Sequence, residues 1–234
     1  MHAEGVGDHI VAIIGSAGSG KSTFIEKASR GVHGAVHDGL ESLTDDIQMV
    51  EATHPKDGHL VMFLDTPTFG EHSYSSTDVL YQISQWLRQQ GIGDLKLSTI
   101  IYLHRISDTR MDGSLLKNLQ IFAKLLGPKA MPNIVIATTM WSKVSYEEGK
   151  RREDDLRRLL QVMAANGCKI KRFDNTFESA WDIIGRNTST TPLSLQKLSH
   201  QGWFRQTSRM VFGSSGTKYN GPAITFAHLY HAFH

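Results

Sequence analysis

Short apolar runs alternate with amphipathic stretches along most of the chain. The runs Ile10–Ile14 (IVAII), Leu60–Leu64 (LVMFL), Thr99–Leu103 (TIIYL) and Ile134–Thr138 (IVIAT) are brief and rich in β-branched or aromatic residues. Such runs predict strands buried on both faces. Lys169–Phe173 predicts a weaker strand, and Asp45–Ala52 a more polar one at an edge. Between them, helical spacing of apolar residues marks Lys21–Arg30, Thr77–Gln90, Ser114–Leu126 and Glu147–Asn166. Ser114 is placed to cap the third of these, Gly127-Pro128 to stop it, and Gly167 to stop the fourth. The stripe Leu80, Ile83 and Leu87 is assigned to core packing. Strands alternating with helices predict an α/β fold, a mostly parallel six-stranded sheet with helices on both faces, whose ligands bind at the carboxyl ends of the strands. After about Gly185 the composition shifts towards Ser, Thr, Gly and Gln. Residues 1–185 are therefore read as one domain and 186–234 as a C-terminal extension of uncertain order.

The first strand runs straight into Gly15-Ser16-Ala17-Gly18-Ser19-Gly20-Lys21-Ser22, a full match to GxxxxGK(S/T), and a helix follows. Strand, glycine loop and helix are the context that this phosphate-binding motif requires. Glycines let the backbone curl so that successive N–H groups converge on phosphate oxygens, and the helix N-terminus adds partial positive charge. Gly15, Ser16, Gly18, Ser19, Gly20, Lys21, Ser22 and Thr23 are the expected phosphate contacts. Lys21 reaches the β- and γ-phosphates, and the Ser22 hydroxyl ligates Mg2+. The second strand ends in Asp65, the expected acidic anchor for the same ion, usually through a water.

These pieces, taken with the rest of the chain, resemble a known group. GSAGSGKSTFI, ESLT, FLDTPTF, IIYLHRISDTRM, TTMWSKV and RFDNTFESA occur in that order between Ile10 and about Ile184. In this respect the chain is similar to fungal G-domain-containing proteins, relatives of the AIG1-type and septin-type (paraseptin) GTPases. The resemblance implies a Ras-like P-loop domain that binds GTP or GDP with Mg2+ and hydrolyses the triphosphate.

It also assigns roles. A threonine between the two phosphate motifs coordinates Mg2+ when triphosphate is bound; Thr44 is the candidate, with Ser42 and Thr53 as rivals. The family's DxxG glycine is replaced by Thr68, which still offers an N–H but restricts the peptide rearrangement that senses the γ-phosphate. The guanine-reading aspartate of NKxD or TKxD is replaced by Ser142 in Thr139-Met140-Trp141-Ser142. A neutral serine lacks the bidentate pairing of a carboxylate, so guanine discrimination is expected to relax by about 1–3 kcal/mol. Met140 or Trp141 remains available to stack on the base, although Trp141 serves equally as a core anchor. Asn175 is a candidate base contact and equally a candidate helix cap. In related families hydrolysis is completed by a homodimer meeting across the nucleotide. His72 is a candidate for orienting water. Arg105 is a candidate arginine finger in trans, or a simple partner of Asp108.

Composition narrows the picture further. The chain has 234 residues, 40% hydrophobic and 21% charged, with a net charge of +2, which gives no polyanion-binding surface. The dense charges from Lys150 to Arg158 alternate in sign at helical spacing and read as a solvated helix face, not a nucleic-acid surface. Cys168 is the single cysteine, compatible with a reducing compartment, and no run is long enough to span a membrane. A cytoplasmic location is the expectation. Three functions remain in view: a GTPase, a P-loop ATPase using ATP/ADP, and a nucleotide-binding interaction module with little turnover.

Overall fold

The structure, a computed structural model, describes residues 9–31, 47–68, 76–89, 97–109 and 128–185. By packing, the chain divides into two compact units, Met1–Gln196 and Lys197–His234, and every described residue belongs to the first. The predicted helix at Ser114–Leu126 and the extension from residue 186 onward lie outside the described residues.

Six strands form one sheet: β1 (His9–Gly15), β2 (Gln48–Thr53), β3 (Leu60–Asp65), β4 (Leu97–Arg105), β5 (Ile134–Thr139) and β6 (Lys169–Arg172). Their order is β2-β3-β1-β4-β5-β6. Every pairing is parallel except β2 with β3, which is an antiparallel hairpin. The chain therefore starts in the middle of its sheet and builds outwards both ways. The crevice beyond the carboxyl end of β1, between β3 and β4, is the switch point where such sheets bind ligands.

The two faces follow from strand alternation. Val11, Ile13, Phe63, Ile101, Leu103, Val135 and Ala137 point to one side, where α1 (Lys21–Ser29) and the last described helix, Phe177–Ile184, bring Phe24, Ile25, Trp181 and Ile184. The Trp181 indole N–H donates to the Ala28 carbonyl at 3.0 Å, joining these two helices. The alternate residues Ile10, Ile14, Leu64, Ile100 and Ile136 are equally buried towards the other side. Leu80, Ile83 and Leu87 on α2 (Ser76–Gln89), the stripe assigned to core packing, are buried, as is Val79. Truncating a residue such as Phe63 to Ala would cost about 3–5 kcal/mol.

One element differs from its pattern. The expected helix Glu147–Asn166 is two: α3 (Tyr146–Leu159) and α4 (Gln161–Ala165). Leu160, at φ −98° and ψ 11°, leaves the helical region and donates its N–H to Arg158 and Leu156. Leu160 and Met163 are both buried beside the break. Gly167 ends α4 at φ 101°, with its N–H on Ala164 and that of Cys168 on Met163, a Schellman pair. The last helix, Phe177–Ile184, is α5.

At the sheet end remote from the carboxyl termini, His9 is buried, with Nε2 3.3 Å from Thr99 Oγ1. Burial, then the neighbouring His54 and His59, push its pKa from 6.5 down to about 4, against a smaller opposing pull from Asp57. The unfolded chain thus takes up a proton that the folded one refuses. The His9 contribution is complete above pH 6.5 and is lost as pH falls towards 4. Urea unfolding at pH 7 and pH 5 should show His9→Gln losing about 2 kcal/mol less stability over that interval than the unmodified chain. Equal losses in the two proteins would remove His9 as the acid-sensitive group.

Candidate functional site

The loop between β1 and α1 is held by its carbonyl groups. The Gly15 carbonyl accepts from Lys21 Nζ at 3.3 Å, that of Ser16 from the Ser19 N–H at 3.1 Å, and that of Ala17 from Arg105 Nη1 at 3.3 Å. The Ser19 carbonyl accepts from Thr139 Oγ1 at 2.9 Å, and the Gly20 carbonyl from the Phe24 N–H at 2.8 Å. Apart from bonds inside the regular strands and helices, the Ser19 N–H is the loop amide given to a backbone carbonyl among the described residues. The curl needs left-handed backbone at Gly18 (φ 68°) and Gly20 (φ 95°), conformations that a side chain resists. Gly15 is required for another reason: a Cβ there would come within 2.3 Å of Ser19 Oγ and 3.0 Å of the Leu103 carbonyl. A set of amides at a helix N-terminus, with their carbonyls tied off behind them, is suited to an anion.

Lys21 and Asp65 face each other beside this loop, both buried. Burial pulls the Lys21 pKa down while Asp65 supports its charge. Burial likewise pushes the Asp65 carboxyl up, opposed by Lys21, the Ser22 hydroxyl and the Thr66 N–H. Ser22 Oγ donates to Asp65 Oδ2 at 3.3 Å, and the other oxygen, Oδ1, is buried without a partner. An unpaired buried carboxylate oxygen costs about 1–3 kcal/mol or more, a cost that a cation would remove. Among the described residues no three His, Cys, Asp or Glu side chains could hold a metal by themselves. Two protein oxygens completed by phosphate and water match the way Mg2+ is held. Behind Asp65, Thr66 Oγ1 donates to the Ile13 carbonyl at 2.7 Å and locks β3 to β1. Ser19 Oγ is also buried without a partner, and nothing in the structure explains it.

The remaining sequence candidates divide by position. Arg105 stands at the loop rim, where its Nε pairs with Asp108 at 2.9 Å as well as reaching Ala17. Thr23 is exposed on the first turn of α1, and Thr68 is half-buried three residues beyond Asp65. Thr44, its rival Ser42, and His72 lie outside the described residues. Thr53 closes β2 opposite Leu60, at the sheet end away from the loop.

At the other side of the crevice, Met140 adopts a left-handed φ of 61°. Its methyl lies 3.8 Å from where a Cβ on Gly20 would stand, so its thioether borders the start of α1. Trp141 is turned away towards α3. Its Nε1 donates to the Thr138 carbonyl at 3.2 Å and to Thr138 Oγ1 at 3.0 Å, and a Cβ on Gly149 would come within 2.8 Å of its ring. Ser142 is exposed in the single turn Trp141–Lys143. Asn175 is exposed at φ 58°, and the cap of α5 is Thr176, which exchanges hydrogen bonds with Ser179.

Sequence reasoning passed over Asp174. The Phe173 N–H donates to the Thr138 carbonyl at 2.9 Å, so Asp174 leaves β6 beside the segment that carries Met140. Its N–H is fixed on Ser179 Oγ at 3.2 Å, while its carboxylate is exposed and makes no ion pair among the described residues. The nearby cations are committed elsewhere: Lys171 to Asp182 at 2.7 Å and Arg172 to Glu153 at 2.6 Å. The signal available in the sequence was an acid next to Asn175 at the end of a strand.

No protein-family model matches the chain, and no curated protein matches it. Solved structures do. Toc33 from Arabidopsis thaliana in complex with Mg2+ and GMPPNP is 18% identical, with 73% of this chain and 72% of that chain covered and a TM-score of 0.54. A dimerization-deficient mutant of Toc33 is 14% identical over 90% of this chain and 86% of that one, with a TM-score of 0.56. The bacterial selenocysteine-specific elongation factor EF-Sec is 18% identical over 74% of this chain but 27% of that one, with a TM-score of 0.52. Likeness at these identities establishes the fold, and the fold is a Ras-like P-loop domain.

Proposed function

We propose that this chain binds a guanine nucleotide with Mg2+ and hydrolyses GTP slowly. The observation that carries the proposal is the pairing of a left-handed glycine loop at a helix N-terminus and a buried lysine with a buried, half-satisfied Asp65 carboxylate. Ser22 and Asp65 would hold Mg2+, which spreads the charge of the β- and γ-phosphates. Lys21 would exchange the Gly15 carbonyl for phosphate oxygens. Thr68 in the place of the switch glycine favours weak switching and slow turnover. Thr44 and His72 complete the proposed ion and water contacts. The order of the motifs favours kinship with the fungal, AIG1-type and septin-type proteins, and a cytoplasmic location fits the single buried cysteine.

For the base, Met140 offers an apolar platform and Asp174 offers the carboxylate that Ser142 lacks. A carboxylate accepts from guanine N1–H and the N2 amine together, which excludes adenine. Asn175 would support the same edge. Two copies meeting across the nucleotide are also proposed, with Arg105 leaving Asp108 and Ala17 to reach the neighbouring phosphates. Among the structural neighbours, dimerization is described as important for the GTPase activity of the chloroplast translocon components Toc33 and Toc159.

Three outcomes follow. By calorimetry, GDP should bind at least tenfold tighter than ADP, with Lys21→Met abolishing binding and Ser22→Ala weakening the Mg2+ effect; a tenfold preference for adenine nucleotides overturns the proposal. Asp174→Asn should weaken GDP by about 1.5–3 kcal/mol and strengthen xanthosine diphosphate, whose C2 oxygen suits an amide donor. Unchanged selectivity would remove Asp174 from base reading. Specific activity should rise with protein concentration, and Arg105→Ala should abolish that rise. A concentration-independent rate, insensitive to that change, would exclude the arginine.

A further inference from the structure

The base end of the site is braced by an ion pair that plays no part in the chemistry proposed above. Glu153 on α3 is 4% exposed, an unusual position for a glutamate. It accepts from Arg172 twice, Nε to Oε1 at 3.1 Å and Nη2 to Oε2 at 2.6 Å, and from Arg157 at 3.3 Å. The Arg172 bonds hold its carboxyl below the usual range in spite of burial. The same guanidinium lies 4.2 Å over the centre of the Trp141 ring and 6.0 Å from that of Tyr146. Trp141 in turn is seated against Gly149, where any side chain would collide with the indole, and is pinned to Thr138 through Nε1.

The sequence positions of these three residues give the arrangement its meaning. Trp141 lies between Met140 and Ser142. Arg172 lies two residues before Asp174, at the end of β6. One planar cation therefore joins the two loops that flank the base, and one buried acid on α3 fixes that cation. Buried ion pairs add little net stability, because desolvation offsets their attraction, and their best-supported use is to select one geometry. The stack on an indole and the fork onto a carboxylate both need a planar guanidinium, which a lysine does not supply.

We infer that Glu153, Arg172 and Trp141 are positioning residues that set the two base-reading loops, so that recognition of the nucleoside, but not of its phosphates, depends on them. This rests on the nucleotide site proposed above. The phosphate loop has its own fastenings, to Thr139, Arg105 and α1, and none of them passes through Glu153.

The test compares GDP, ADP and inorganic pyrophosphate, each with Mg2+, by calorimetry on the full chain and on Glu153→Gln and Arg172→Lys. Both variants should bind GDP at least tenfold more weakly and lose most of the GDP-over-ADP preference, while pyrophosphate affinity stays within twofold. Equal losses for GDP and pyrophosphate would mean general loosening and would overturn the inference, as would unchanged GDP binding. If Glu153→Gln does not fold, Arg172→Lys, which keeps the charge pair, decides alone. An unmodified chain that binds neither GDP nor pyrophosphate would remove the nucleotide site itself. One that binds both, with insensitive variants, would remove only the positioning role.

Discussion

The phosphate end of this protein depends on how a short loop disposes of its carbonyl groups. A backbone that turns its amides inwards must turn its carbonyls outwards, and each buried carbonyl without a donor costs about 1–3 kcal/mol. Here a lysine, an arginine, a threonine and two backbone amides take five of them: those of Gly15, Ser16, Ala17, Ser19 and Gly20. The donors come from β4, β5 and α1 as well as from the loop itself. The inward-facing amides are thereby held in place before any anion arrives, which is the condition for strong electrostatic recognition. Of these donors, Lys21 is the one that must move to serve a phosphate held in its own loop.

The sheet order explains why those donors are within reach. β1 lies between β3 and β4, and β5 follows β4. Asp65 at the end of β3, Arg105 at the end of β4 and Thr139 at the end of β5 all rise around the loop that ends β1. The next strand, β6, delivers Arg172 and Asp174 to the far side of the crevice. Phosphate and base contacts thus fall on different strands and have different fastenings. The acid-sensitive His9 lies at the opposite end of β1, so stability and binding draw on separate parts of the same strand.

Much of this was legible in the chain. The strands at Ile10, Leu60, Thr99 and Ile134 were marked by buried-strand composition, and the GSAGSGKS run announced both the loop and the helix after it. Local pattern did not reveal pairings between distant residues: Thr139 with Ser19, Trp181 with Ala28, Arg172 with Glu153. Each joins residues that meet only once the sheet has formed, and neither periodicity nor propensity encodes them. The same limit explains Trp141. Its place at a strand end allowed either a base-stacking or an anchoring role, and the choice is made by Gly149, eight residues on, which leaves room for the indole. Asp174 was overlooked because its neighbour Asn175 is the more familiar turn residue. The left-handed φ of Asn175 fits that turn, but it is the adjacent acid that stays unpaired. The break at Leu160 was invisible because both halves carry good helix formers.

The most direct measurement is a crystal structure of the full chain grown with GDP and Mn2+, using anomalous scattering to locate the ion. The expected result is a diphosphate enclosed by the amides of residues 16–21. Lys21 Nζ should have moved from the Gly15 carbonyl to a phosphate oxygen, with the ion bound by Ser22 Oγ and facing Asp65. Nucleotide density elsewhere on the surface, with Lys21 still on Gly15 and no ion beside Asp65, would contradict the account at its foundation.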